Sequence, residues 1–350
     1  MSKVKIYRAN YQDLQELIPV IFRDFPFNFK NKKVFLKPNM LSARKPEEGV
    51  TTHPELVRVV AEYILEQGGE LLVGDNPSLT SEGSQKEAGE KTGLAKASLG
   101  HFLDISRHPQ KVRVKELGDL AVSSEILNCD ILISLPKFKT HPLTLLTGAV
   151  KNMYGILVGE EKPRLHYQFP NPTAFSQILT LIYEIRRPDL IILDGIVAME
   201  GFGPSNGDLR SLNRIIVSRD GYACDWVLAR MVKRDPARIN FLSWAMRRGF
   251  FNPKAIEVEG DFTEIEKFRL PLKLGDSLPW RLIVKLIYHP FRYKRVSIIK
   301  EKCRLCGACE KICPKAALRI EGRKLKYEKG SCIACFCCLE VCPEGAIKPS

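Results

Sequence analysis

The residues best placed to do chemistry are cysteines. The chain has eleven, and all but Cys129 and Cys224 lie in the last stretch, beyond Glu301. Two segments there have one form, C-x2-C-x2-C-x3-C-P: CRLCGACEKICP (Cys303–Pro314) and CIACFCCLEVCP (Cys332–Pro343). Cys303 corresponds to Cys332, Cys306 to Cys335, Cys309 to Cys338 and Cys313 to Cys342, always 29 residues apart, so the tail is an internal duplication. Three thiolates on one short loop reach three irons of a cubane, and the fourth iron needs a ligand from elsewhere. Zinc is the alternative, but it takes four ligands per ion and leaves the repeated x3-C-P ending without a reason. Tightly spaced cysteines in a chain with no visible secretory signal also favour metal over disulfides.

These runs resemble the bacterial two-cluster ferredoxin module, in which the fourth cysteine of each run ligates the other cluster. The resemblance implies two [4Fe–4S] clusters. One takes Cys303, Cys306, Cys309 and Cys342; the other takes Cys332, Cys335, Cys338 and Cys313. Cys337 is spare and reads as a small buried hydrophobe, with a substitute ligand as the alternative. The tail has few apolar residues of its own, so the clusters are expected to stabilise it.

A second candidate site lies in the stretch HPLTLLTGAVKN (His141–Asn152), which follows the apolar run DILISL. Here His141 and Lys151 stand among small and apolar residues. A lysine in such a setting suits a nucleophile or carrier role; the bland reading is an ammonium reaching the surface over an apolar stem. The segment LTLLTGAVKNMYG reads as a helix with Thr147 and Lys151 on one face. Other polar residues also follow apolar runs: Lys37 and Asn39 after KVFL, Asp75 after ELLV, and Asp194 after LIIL. Turn chemistry alone explains such residues, but in open α/β sheets the ligand crevice lies beyond the carboxyl ends of the strands. Lys151, His141 and Asp194 are therefore the candidate catalytic residues. Lys37, Asn39, Asp75, Asn152, His166 and Glu200 are candidates for binding a further cofactor, whose identity stays open. His166 lies in a charged, aromatic, proline-containing segment (159–175) that reads as a lid, and Glu200 in a glycine-rich loop after Asp194.

The elements that must position these residues alternate. KVFL, ELLV, DILISL, LIIL, NRIIVS and KAIEVE read as strands, and 54–69, 171–187 and 221–233 as helices. This rhythm predicts an α/β domain over residues 1–275 with a mostly parallel layered sheet. A basic amphipathic linker follows at 276–295, then a small α+β ferredoxin-like domain at 296–350. The formal charge is +14, which suits acidic partners or a solvated basic surface. No apolar run is long enough to span a bilayer and no secretory signal is visible, so the expectation is a cytoplasmic protein. The segment WRLIVKLIYHPFRYKR (280–295) is basic and aromatic. It admits contact with a membrane surface or nucleic acid, but no nucleic-acid motif accompanies it and an interdomain connection is the simpler reading.

The motifs KPN, THPE, GDNPS, LPKFKTHPLTLLTGAVKN and DGIVAMEGFGP, followed by the two-cluster tail, resemble the family labelled domain of unknown function 362 over essentially the whole chain. That resemblance implies iron–sulfur binding and supplies no activity. The large domain is also faintly similar to the nickel-pincer lactate racemases. This would imply a catalytic base at His141, a cofactor anchor at Lys151 and a second histidine near His166. The step here is His141-Pro142 rather than Pro-His, and Gly74-Asp75-Asn76 stands where the racemases have Gly-Thr-His, which puts racemase chemistry in doubt. The function expected is an oxidoreductase passing electrons to a substrate or cofactor in the α/β crevice. The alternative is a non-enzymatic electron carrier or maturation factor that docks a redox partner. Oligomeric state is not legible in the sequence.

Overall fold

The structure is a computed structural model that describes residues 1–77, 84–271 and 296–349. The expected linker, with its basic aromatic segment, lies outside the described residues.

The large domain is a mixed, mostly parallel sheet covered by helices on both faces. Its strands are β1 (Ser2–Arg8), β2 (Lys33–Pro38), β3 (Glu70–Val73), β6 (Ile131–Leu135), β7 (Lys137–His141), β8 (Leu145–Thr147), β9 (Leu190–Glu200), β10 (Asp208–Ser218) and β11 (Ile256–Gly260); β4 (Pro109–Val114) and β5 (Gly118–Ser123) form a separate hairpin. The order is β11-β1-β10-β9-β6-β2-β3. β9, β6, β2 and β3 run parallel, and β7 continues beside β9 before turning back into β8.

Strand β6 shows why the sequence settles here. It is buried along its whole length, as a strand covered on both faces must be. Ile131, Ile133 and Leu135 pack with Leu14, Ile18, Leu56 and Val60 of the helices Leu14–Asp24 and Pro54–Glu66. Leu132 faces the other layer, with Phe175, Ile178 and Leu179 of the helix Pro172–Ile185 and Tyr222 and Val227 of the helix Gly221–Met231. Successive side chains thus reach opposite cores. The helix from Pro54 starts with proline in its first turn and is capped by the His53 side chain, which accepts from the Glu55 amide at 3.2 Å. It ends at Glu66, before a left-handed Gly68.

Two local expectations need correction. LTLLTGAVKNMYG is not one helix: Leu145–Thr147 is strand β8, and the helical part is a short α-helix, Ala149–Asn152, that runs into a 3-10 turn, Met153–Ile156. Leu145 to Thr147 pair with β7, so ladder hydrogen bonds override the helical pattern there. Thr147 instead donates to the carbonyl of Lys139 at 3.1 Å. The run LIIL extends through the expected loop to Glu200, because antiparallel pairing with β10 carries it on.

The small domain consists of β12 (Val296–Ile298) paired with β15 (Ile347–Pro349), the hairpin β13–β14 (Leu318–Glu321, Lys324–Tyr327), and the helices Ala308–Ile312 and Cys337–Val341. The duplication is visible in the backbone. Leu305 and Ala334, Gly307 and Phe336, Ala316 and Gly345 share left-handed conformations at matching positions of the repeat. This domain docks on the large one. Arg44 donates to the carbonyl of Cys342 at 2.8 Å, Ser205 to that of Glu340 at 3.2 Å, and Lys315 to the Tyr167 hydroxyl at 3.1 Å.

Candidate functional site

The two cysteine sets each line a separate hollow. One is lined by Cys303, Cys306, Cys309 and Cys342, the other by Cys313, Cys332, Cys335 and Cys338, with Cys337 beside them. Among the described residues the thiols are not gathered as ligands of a single ion would be. A cubane instead needs four thiolates spread around it, one for each corner iron, and the residues fit that group. The amides of Ala317 and Ala346 lie 3.2 Å from the sulfurs of Cys313 and Cys342, again at matching positions, and hydrogen bonds of this kind tune a cluster's potential.

The second site lies at the carboxyl ends of β2, β3 and β6, where an α/β crevice is expected. It has two adjoining chambers that share Asn39, Leu41, Lys151 and Asn152. The larger is also lined by Asp75, Lys162 and His166 of the large domain, and by Ile312, Cys337 and Glu340 of the cysteine module. The smaller is lined further by Lys137, Lys139, Thr147 and Gly148. Gly148 has a steric reason: a Cβ there would meet Asp225 at 2.0 Å. Asp225 accepts from the amides of Ala149 and Val150 at 2.7 and 3.0 Å, which anchors the short helix that carries Lys151.

Of the nine candidates in the α/β domain, the structure brings Asn39, Asp75, Lys151, Asn152 and His166 to the crevice. Lys37 stands behind it, fully buried, with its ammonium 2.6 Å from Asp75. Asp75 also accepts from the Met40 amide at 2.7 Å. Three more candidates also do not line the crevice. Asp194 is buried under Lys137 at 2.8 Å, the Tyr11 hydroxyl at 3.0 Å and the His53 amide at 3.0 Å, so its oxygens are engaged. Glu200 is held by Arg269 at 2.7 Å and Arg210 at 3.0 Å. His141 lies behind Glu340. Its Nδ1 accepts from the Leu143 amide at 3.1 Å, which puts the proton on Nε2, and Nε2 donates to Glu340 at 2.8 Å. A ring with both nitrogens committed positions Glu340 and is not a free base. Burial, reinforced by Lys151, pushes its pKa down to about 3.

Sequence reasoning missed Lys139, Lys162 and Glu340. Lys139 is 2% exposed and donates to Asn39 Oδ1 at 2.7 Å and the Val50 carbonyl at 2.6 Å. Burial and then Lys151 hold its pKa well below the usual lysine range. Lys162 donates to the carbonyls of Asn76 and Pro77, and burial lowers its pKa to about 7. Burial pushes the Glu340 carboxyl up, but Lys151 at 4.0 Å and His141 outweigh it and keep it below its ordinary value. The signal for Lys139 was alternation: in KFKTH (137–141) it shares a strand face with Lys137. For Glu340 nothing local points to the crevice.

Residues 34–230 match the family described as domain of unknown function (DUF362), and residues 302–346 match the 4Fe-4S dicluster domain. A thylakoid-associated protein of Synechocystis sp. is 33% identical over 281 residues, which span 77% of this chain and 85% of the relative. Among solved structures, lactate racemase apoprotein from Thermoanaerobacterium thermosaccharolyticum is similar with a TM-score of 0.42 and 13% identity, covering 65% of this chain and 57% of that one. A protein from Thermotoga maritima is similar with a TM-score of 0.38 and 16% identity, covering 61% and 56%. The dicluster match and the two lined hollows agree: the tail binds [4Fe–4S] clusters. Among the described residues no helix is long and apolar enough to cross a membrane.

Proposed function

The chain belongs to the family described as domain of unknown function DUF362, and we propose that it is a ferredoxin-linked oxidoreductase whose substrate or further cofactor sits in the lysine-lined crevice. One observation carries this reading. Cys337 lines the crevice on one side and the hollow of the Cys332 set on the other. A bound cluster supplies single electrons. The chain's own residues then do the rest. Lys151 and Asn152 orient the bound molecule, Lys151 offers a proton or a positive charge at Nζ, and Ile312 and Tyr154 help to exclude water. Cys306 is the exposed one of the cluster cysteines among the described residues, so the Cys303 set is the side we assign to an electron-donating protein.

The test uses full-length protein purified without oxygen and carrying about eight irons per chain. Its clusters are reduced with dithionite and their visible absorbance is followed while small molecules are added. A substrate should reoxidise them, and Lys151→Ala should slow that step at least tenfold with iron content unchanged. Unchanged turnover in Lys151→Ala would place the chemistry outside this crevice. Reoxidation by proteins alone would instead favour the electron-carrier reading. We place the protein in the cytoplasm; its relative's thylakoid association makes a peripheral membrane location the alternative, decided by cell fractionation at low and high salt.

A further inference from the structure

Among the described residues, the crevice carries positive charge that its own carboxylates do not balance. Lys139 and Lys162 are bonded to neutral oxygens, namely Asn39 Oδ1 and the carbonyls of Val50, Asn76 and Pro77. Lys37 and Lys137 have close carboxylate partners, Asp75 and Asp194. Lys151 lies 4.0 Å from Glu340, whose nearer partner is His141. Among the described residues, then, five lysines in and behind the crevice (37, 137, 139, 151, 162) stand against three carboxylates (75, 194, 340), a formal excess of two positive charges. An ammonium removed from water is costly unless an anion meets it.

An independent observation points to a ligand. Asn152 Oδ1 and His166 Nδ1 are buried with no hydrogen-bond partner among the described residues, in residues 6% and 4% exposed, and both residues line the larger chamber. The amide of Asn152 has its orientation set by Ser134, whose Oγ accepts from Nδ2 at 2.9 Å. His166 is held by ring contacts with Phe175 and Tyr154. Buried polar atoms fixed in place without a partner are expected where a bound molecule supplies it.

We propose that the crevice binds a small dianion, a phosphate ester or a dicarboxylate. Its charges lie against Lys139 and Lys151, and a hydroxyl or N–H group next to them donates to Asn152 Oδ1. This rests on the crevice being the substrate site and names the class of substrate it takes. A neutral molecule leaves the excess charge in place, and a cation adds to it.

The experiment is isothermal titration of the cluster-loaded, full-length protein without oxygen at constant chloride. The probes are inorganic phosphate, malonate and the neutral malonamide. Phosphate or malonate should bind and malonamide should not; the tighter of the two anions distinguishes a phosphate ester from a dicarboxylate. Lys139→Met, which keeps volume, and Lys151→Gln, at a partly exposed position, should each weaken anion binding at least tenfold with iron content unchanged. Equal binding of malonamide and malonate, no binding of either anion, or unchanged affinity in the folded variants would overturn the dianion site. Anion binding that leaves reoxidation of the reduced clusters unaffected, with the anion or with its phosphate esters and dicarboxylate analogues, would stand as support for the site while sinking the oxidoreductase reading.

Discussion

In the cysteine module eight sulfurs surround two hollows whose other walls are apolar, Leu305, Ile320 and Ile347 in one and Val296, Leu318 and Phe336 in the other, whereas in and behind the crevice five lysines are held by a sheet with an apolar core on each face. The module meets its charge with metal, so ligand binding and folding are one process there. The large domain meets its cost with burial elsewhere: Ile133, Leu132, Phe35 and Val60 are inaccessible whether or not a ligand is present. The difference teaches that one region should depend on its cofactor for structure and the other for function alone.

Removing the iron is the strongest way to break that comparison. In the full chain, chelation should abolish the calorimetric transition of residues 296–349 and leave that of the large domain in place. Loss of both together would mean that the contacts of Arg44, Ser205 and Tyr167 with the module make a single cooperative unit.

Next in size is the contrast between paired and unpaired lysines. Lys37→Met leaves Asp75 buried without its cation and should cost about 3–5 kcal/mol. Lys139→Met strands Asn39 Oδ1 and the Val50 carbonyl, which are neutral acceptors, and should cost about 1–3 kcal/mol, less than Lys37→Met. Urea unfolding of both variants checks this, and equal losses would show that Lys139 is held as firmly as Lys37.

A smaller effect is expected in pH. The Lys162 pKa is about 7 in the folded protein, below its unfolded value near 10.5. Between those values the unfolded chain binds the proton and the folded one does not, so stability should rise with pH across that window. Below about pH 7 both states are protonated and the full penalty remains. Lys162→Met should remove this part of the slope, measured as urea midpoints from pH 7 to 10. The smallest effect belongs to the exposed pair Arg113–Asp119 on the β4–β5 hairpin, 3.1 Å apart. Arg113→Ala should change stability by less than about 1 kcal/mol.

The cores of the fold were legible wherever apolar pattern and strand length agreed, as at Ile131–Leu135 and Pro172–Ile185. Legibility failed at Leu145–Thr147, where pairing with β7 converts a helical pattern into a strand. It failed again at Asp194 and Glu200, because a carboxylate after an apolar run looks the same whether it faces a crevice or closes on Lys137, Arg210 or Arg269.

The sequence by itself determined that the tail is a duplicated cysteine module that binds [4Fe–4S] clusters. A cubane's thiolates come mostly from one short loop, so spacing alone records them, and the duplication records them twice. It also placed six strands and three helices of the large domain, because their periods are local, while β1, β4, β5 and β7 carried no expectation and β8 read as helix. Only the tertiary structure decided that Cys337 forms a wall of the crevice, that Glu340 joins His141 across 199 residues of chain, and that Lys139 and Lys162 converge with Lys151. Those contacts depend on how the cysteine module seats against the carboxyl ends of the sheet, and no spacing along the chain encodes a distance between segments that meet only after folding.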